Sequence, residues 1–195
     1  KDQSIKFIPF KLFSLFLNKY IVYIFNYIYY SFTSSKKIIS KVHFTKFFYP
    51  LDKFSNWNKI YGKNGLIQYQ FILPLEKSYD GIKDIFSIIQ KRKIYPFLAV
   101  LKLYGEKNDN FISFPIKGYS LALDFKRDHE TLEMLKDLDS IIVKYGGRVY
   151  LTKDAHVNEL NFKKMYPDVN KFIKIRKKYY LDEKMKSSQS MRIGI

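Results

Sequence analysis

Cysteine is absent from all 195 residues, which excludes disulfides and thiolate metal sites and is compatible with a reducing compartment. Glycine is scarce, with eight in the chain. Neither Gly62 with Gly65 nor Gly146 with Gly147 makes a dinucleotide or phosphate-loop fingerprint, and no other segment does. His43, His129 and His156 stand apart, with no His-x-x-x-His pair, so no metal site is expected. No nucleophile elbow or other triad signature occurs. Arginine is confined to Arg92, Arg127, Arg148, Arg176 and Arg192, so the net charge of +17 is almost all lysine, spread from Lys1 to Lys186. Charge spread this thinly reads as a solvated surface. An anionic membrane surface is the alternative, and nucleic acid is not expected as a partner. The first residue is Lys1, and no apolar stretch followed by a small-residue cleavage site is found, so the chain is expected to begin mid-protein.

Hydrophobic residues make up 47% and charged residues 27%, which suits a globular domain with a real core. The segment Phe7 to Phe32 is strongly apolar and aromatic, but Lys11, Asn18, Lys19 and Asn26 interrupt it, and each is costly in hydrocarbon. It reads as an amphipathic or largely buried helical element with Pro9 near its start. Packing on the domain, attachment at a membrane interface and a true span are the three readings it allows. Ser31 to Ser40 reads as a polar connection.

From Leu66 onward the periodicity alternates between two and 3.6. Ile67, Tyr69, Phe71 and Leu73 mark a first strand. Ile82, Ile85, Phe86 and Ile89 mark a helix, and Phe97 to Tyr104 a second strand. Tyr119 to Phe125 is a third strand. Leu132, Leu135, Leu138 and Ile142 mark a second helix, stopped by Gly146-Gly147, and Arg148 to Thr152 is a fourth strand. The order is β-α-β-β-α-β, which predicts an α+β fold: an antiparallel sheet with both helices on one face. Helices over Asn158 to Met165 and Val169 to Tyr180 and a polar tail follow. The expected organisation is an apolar helical element over 1–45, a sheet domain over 46–154 and a helical tail over 155–195.

Alternation also assigns faces. The helix-covered face takes Ile67, Tyr69, Phe71, Leu73, Phe97, Ala99, Leu101, Leu103, Leu121, Leu123, Phe125, Val149 and Leu151. The other face collects Gln68, Gln70, Lys102, Tyr104, Ser120, Ala122, Asp124, Arg148, Tyr150 and Thr152. It is either the solvated outside of a two-layer domain or a polar ceiling over a ligand. Glutamine amides suit a polyhydroxylated ligand, because each offers donors and acceptors.

Several segments in order carry a family resemblance: Phe48 to Asp52, Trp57 to Gly62, Gln68 to Phe71, Phe97 to Lys102, Ser113 to Pro115 with Lys117-Gly118, Leu121 to Phe125, Gly146 to Asp154, and Tyr166-Pro167. Together they resemble the carboxy-terminal part of FAD-linked oxidases of the vanillyl-alcohol-oxidase type, in particular the decaprenylphosphoryl-β-D-ribose oxidases, which are related to the aldonolactone oxidases. The resemblance implies that FAD is bound mainly by a domain missing from this chain, that 46–154 is a substrate (cap) domain holding a sugar or lipid-linked sugar, and that the tail over 155–195 returns to the absent FAD-binding domain. As given, it would then be an incomplete and inactive fragment, with its polar sheet face unusually open.

Carried over by motif, Gln68, Gln70, Lys102, Ser120 and Ala122 would line the substrate pocket. Tyr150 and Lys153 would be the catalytic and cofactor-binding residues. Ala122 stands where mycobacterial members carry a cysteine, so thiol-directed inhibition is not expected here, and Ser120 replaces a usual Asn. The implied reaction is hydride transfer from a secondary alcohol of a prenyl-phosphoribose-like sugar to flavin. An aldonolactone oxidase is one alternative, and a non-catalytic binding or membrane-surface module is another. The same resemblance suggests a short-chain reductase partner and a cytoplasmic protein, peripheral at the inner face of the membrane.

Overall fold

Alternating apolar residues and two runs at helical spacing build a single four-stranded sheet under two helices. The computed structural model describes residues 19–33, 39–49 and 64–195. Two compact units divide at Leu66 and Ile67. Within the first, α1 (Lys19–Phe32) and the short α2 (Phe44–Phe48) are the helices described. The side chains of α1 are largely exposed, Tyr30 at 82% and Phe32 at 85%, for an element expected to be amphipathic or largely buried. No helix among the described residues is long and apolar enough to cross a membrane. The expected start of that element, with Pro9, Lys11 and Asn18, lies outside the described residues, as do Leu51, Asp52 and the Trp57 to Gly62 segment.

The second unit contains β1 (Leu66–Pro74), α3 (Ser78–Arg92), β2 (Leu98–Tyr104), β3 (Gly118–Lys126), α4 (His129–Lys144) and β4 (Arg148–Val149). The sheet order is β2-β3-β1-β4. β2 pairs antiparallel with β3, Val100 opposite Ala122 and Lys102 opposite Ser120, and β1 pairs antiparallel with β4, Phe71 opposite Val149. Partners between β1 and β3 run in opposite directions, Gln68 with Asp124 and Gln70 with Ser120, so that pair is antiparallel too.

The helices obey their local signals. Asp128 caps α4 by accepting from the Thr131 N–H, and Leu135, Leu138 and Ile142 are fully buried on its inner face. Each such burial stabilises by about 1.5–3 kcal/mol. The helix ends in a Schellman turn: Gly147 N–H donates to Ile142 C=O and Gly146 N–H to Val143 C=O, with Gly146 at φ +71°.

Four expectations need correction. The fourth strand stops at Val149, because at Tyr150 the chain turns: Lys153 N–H bonds Tyr150 C=O and Asp154 N–H bonds Leu151 C=O. Thr152 is therefore off the sheet. Second, Leu101 and Leu103 do point to the helix side but are 58% and 64% exposed. β2 is the edge strand, and there Leu101 only rims an apolar groove of about 550 Å³ with Tyr79, Ile82, Phe86 and Tyr119. Third, the two expected helices of the tail are present, but the polar end after them also folds. α5 (Glu159–Met165), α6 (Val169–Lys178), α7 (Leu181–Lys184) and α8 (Ser188–Arg192) follow β4. Ser187 and Ser190 form a capping box on α8, and Ile193 is buried in the same core as Phe162, Met165 and Tyr166. Fourth, the polar face is open only in part, for the reason given next.

Candidate functional site

The pairing register gathers the predicted residues on one face. Gln68 and Gln70 come from β1, Lys102 from β2, Ser120 and Ala122 from β3, and Tyr150 from the end of β4, where its N–H still bonds Gln70 C=O. Ser120 is fully buried, Gln70 is 5% exposed and Asp124 2%. Part of the cover comes from the β2–β3 loop, which folds back over the sheet. The Phe114 ring lies 4.7 Å from that of Tyr150 and 5.8 Å from that of Tyr104, and Arg148 Nη1 holds the loop through Ser113 C=O at 2.7 Å. Lys102 remains exposed on this face, and Gln68 and Tyr150 are half-buried.

Polar side chains on the face bond to one another. Gln68 Nε2 donates to Asp124 Oδ1 at 2.6 Å, and Gln70 Nε2 to Ser120 Oγ at 3.1 Å. Burial raises the Asp124 carboxyl above its ordinary pKa, opposed by the Gln68 hydrogen bond and by the charge of Lys153. Lys153 itself is exposed in the turn after β4. Asp124 and Phe114 are the residues that sequence reading missed as site members. Alternation already put Asp124 on this face, whereas Phe114 lies in a loop with no period to read.

The turn carrying Lys153 is anchored from behind. Asp154 points inward, accepting from the N–H groups of His156 and Val157 at 2.9 Å each and from Arg192 Nη2 at 2.9 Å. Gln189 Nε2 donates to Leu151 C=O at 2.6 Å. So α8 clamps the loop on which Tyr150 and Lys153 stand. Burial alone would raise the Asp154 carboxyl, but Arg192 and the two backbone N–H groups outweigh it and hold the pKa below the ordinary carboxylate range. A lowered folded-state pKa means stabilisation present above the unfolded value, about pH 4, and lost as pH falls through the folded one. Arg192→Met is expected to cost about 2 kcal/mol at pH 7, the scale of hydrogen bonds to a charged group. Urea titrations should show that difference shrinking below pH 4, and an equal loss at pH 7 and pH 3 would contradict it.

Behind the sheet a second buried set has a structural character. Tyr69 Oη donates to Asp139 Oδ1 at 2.7 Å, and His156 Nε2 lies 3.1 Å from Asp139 Oδ2. Burial, then the Asp139 charge, raises the Tyr69 phenol well above its usual value, so it stays a donor. It faces the helices, away from the polar face. No cluster of metal-ligating side chains occurs among the described residues.

Comparison with known proteins now bears on this geometry. The model of the D-arabinono-1,4-lactone oxidase family matches residues 14–189. The chain belongs to that family. It is also 36% identical over 151 residues, 77% of its length, to the decaprenylphosphoryl-β-D-ribose oxidase of Mycolicibacterium smegmatis. A shorter match, 29% over 98 residues and 50% of the chain, is to an uncharacterized protein from the mprA 5′ region of Streptomyces coelicolor. The matched stretch spans 33% of the first relative and 27% of the second. The expected resemblance therefore holds at the level of family.

Proposed function

We propose that this chain is the sugar-holding portion of a FAD-dependent oxidase that acts on a secondary alcohol of a prenyl-phosphoribose-like sugar. The observation that carries the reading is the polar sheet face, with two amides, a hydroxyl, a phenol and two lysines, in a chain of an oxidase family. The residues present fit one wall of a flavin site. Tyr150 and Lys153 stand together in one turn at the margin of the face, and nothing in the sequence cradles a nucleotide phosphate. Most of the cofactor's contacts would then come from outside these residues. When bound, the flavin would supply the hydride acceptor.

The chain's own residues would orient and charge-balance the sugar. Gln68 and Gln70 would fix ring hydroxyls, and Lys102 would meet an anionic group at the exposed rim. The Tyr150 hydroxyl would hold the proton of the reacting alcohol. The Lys153 ammonium would stabilise negative charge growing on the substrate oxygen. Ala122 leaves the face without a thiol.

A second reading is favoured by the family description itself: oxidation of an aldonolactone such as D-arabinono-1,4-lactone. Anaerobic mixing of the flavin-loaded protein with each compound separates the two. Flavin bleaching by the prenyl-phosphoribose and not by the lactone is expected. Bleaching by the lactone alone would replace the first reading with the second, and bleaching by neither would remove both.

A further inference from the structure

The hydrogen bond between Gln68 and Asp124 has a direction, and the direction is informative. An ionised carboxylate offers only lone pairs, so the group of Gln68 that meets Asp124 must be its NH₂. The bond is short, at 2.6 Å, and Asp124 is 2% exposed, so the carboxylate is largely shielded from water. The amide oxygen of Gln68 is left with no protein donor among the described residues. Gln68 itself is half-buried on the polar face and can be reached. The neighbouring amide is not fixed in this way. Gln70 meets Ser120 Oγ, and a hydroxyl both donates and accepts, so that pair can reverse.

We propose that Asp124 is a specificity-determining positioning residue: it locks Gln68 with its carbonyl oxygen toward the ligand, so that this point accepts a hydrogen bond from a sugar hydroxyl and rejects a group that can only accept. The two glutamines then differ in role. Gln68 is a fixed acceptor, and Gln70 adapts to either partner. Burial works against the ionised carboxylate on which the direction depends, and the Gln68 hydrogen bond and the charge of Lys153 oppose that upward shift. This inference rests on the sugar reading above.

The test uses the full-length protein and a binding readout, isothermal titration calorimetry, so no turnover is needed. The probes are methyl β-D-ribofuranoside 5-phosphate and its 2-O-methyl and 3-O-methyl ethers, in which one donor at a time is lost. Wild type should bind one ether at least roughly tenfold more weakly than the parent, as a site built around a hydroxyl rejects its blocked analogue. In Asp124→Asn the side chain can donate as well as accept, so the Gln68 amide can turn. The discrimination should then fall to about threefold or less, mostly through tighter relative binding of that ether. Gln68→Leu, which removes the acceptor and leaves Asp124 in place, should lose the same discrimination. A merely structural residue would weaken parent and ether alike. An unchanged ratio in Asp124→Asn overturns the proposal and leaves the sugar reading standing. Failure of wild type to bind any of the three overturns the sugar reading and the proposal with it.

Discussion

Lys153→Met in the flavin-loaded protein is expected to slow flavin reduction by roughly 10²-fold or more, as for loss of one pre-organised electrostatic donor. Methionine keeps the length of the stem and removes the charge with all three donors. The structure makes the alternative concrete. Asp154, the adjacent acid, is committed to Arg192 and to two backbone N–H groups, so it does not claim Lys153. The charge Lys153 acts on within the chain is Asp124, on the polar face. If its contribution is only that of an exposed ammonium near a carboxylate, the loss is at most about 1 kcal/mol and the chemistry survives. Single-turnover bleaching under anaerobic conditions at saturating sugar decides between them. A rate within about threefold of wild type, with flavin still bound, would remove Lys153 from the catalytic machinery, since about 1.4 kcal/mol corresponds to a tenfold change.

Gly118→Ala is expected to destabilise the sheet domain by about 3 kcal/mol, the upper range for forcing atoms into a filled site. A Cβ at Gly118 would stand 1.9 Å from the carbonyl oxygen of Leu73 and 3.1 Å from the Leu75 nitrogen. Both are backbone atoms, so no rotamer change relieves the overlap. The only escape is to part β1 from β3, which also strains the Leu75 N–H bond to Lys117 C=O. Thermal unfolding should shift down by roughly 10 °C, given the size of the unit. A shift under about 2 °C would mean that the two strands separate at little cost there. Gly118 sits two residues from Ser120, so the same variant should also loosen the polar face before the domain unfolds.

How far the sequence could be read depended on the range of the interaction involved. Alternation along β1 and β3 and the 3.6 spacing of Leu135, Leu138 and Ile142 are local, and they gave the elements, their order and the division into two faces. The Gly146-Gly147 stop was legible for the same reason. The early end of β4 was not. It is set by Asp154 turning inward to Arg192, 38 residues away. The docked tail was missed because α7 and α8 are short and polar, and the last turn is held by a capping box, the buried Ile193 and long-range bonds from Gln189 and Arg192. Alternation placed Lys102, Ser120, Gln68 and Gln70 together, but it could not show that Asp124 fixes an amide or that Phe114 closes over the face. Both depend on how separate segments meet. The exposure of Leu101 and Leu103 follows from strand order, a property of the whole topology that no single strand records.

That strand order has a practical consequence. One side of β2 bonds β3, and its other backbone edge meets no strand among the described residues. The run Leu98 to Leu103 is apolar and largely exposed apart from one residue, Lys102. A lysine in the middle of a free edge discourages a second chain from pairing there, because its charge would have to be buried in the new sheet. Replacing Lys102 by methionine or valine would leave six consecutive apolar residues of high strand propensity along that edge, the pattern of a self-associating segment. Activity lost in such a variant would therefore confound two causes, a missing contact to the sugar and a protein stacking edge to edge. Exchange for glutamate or glutamine keeps the gatekeeper's polarity while removing the cation, and only those variants test the proposed contact to a sugar.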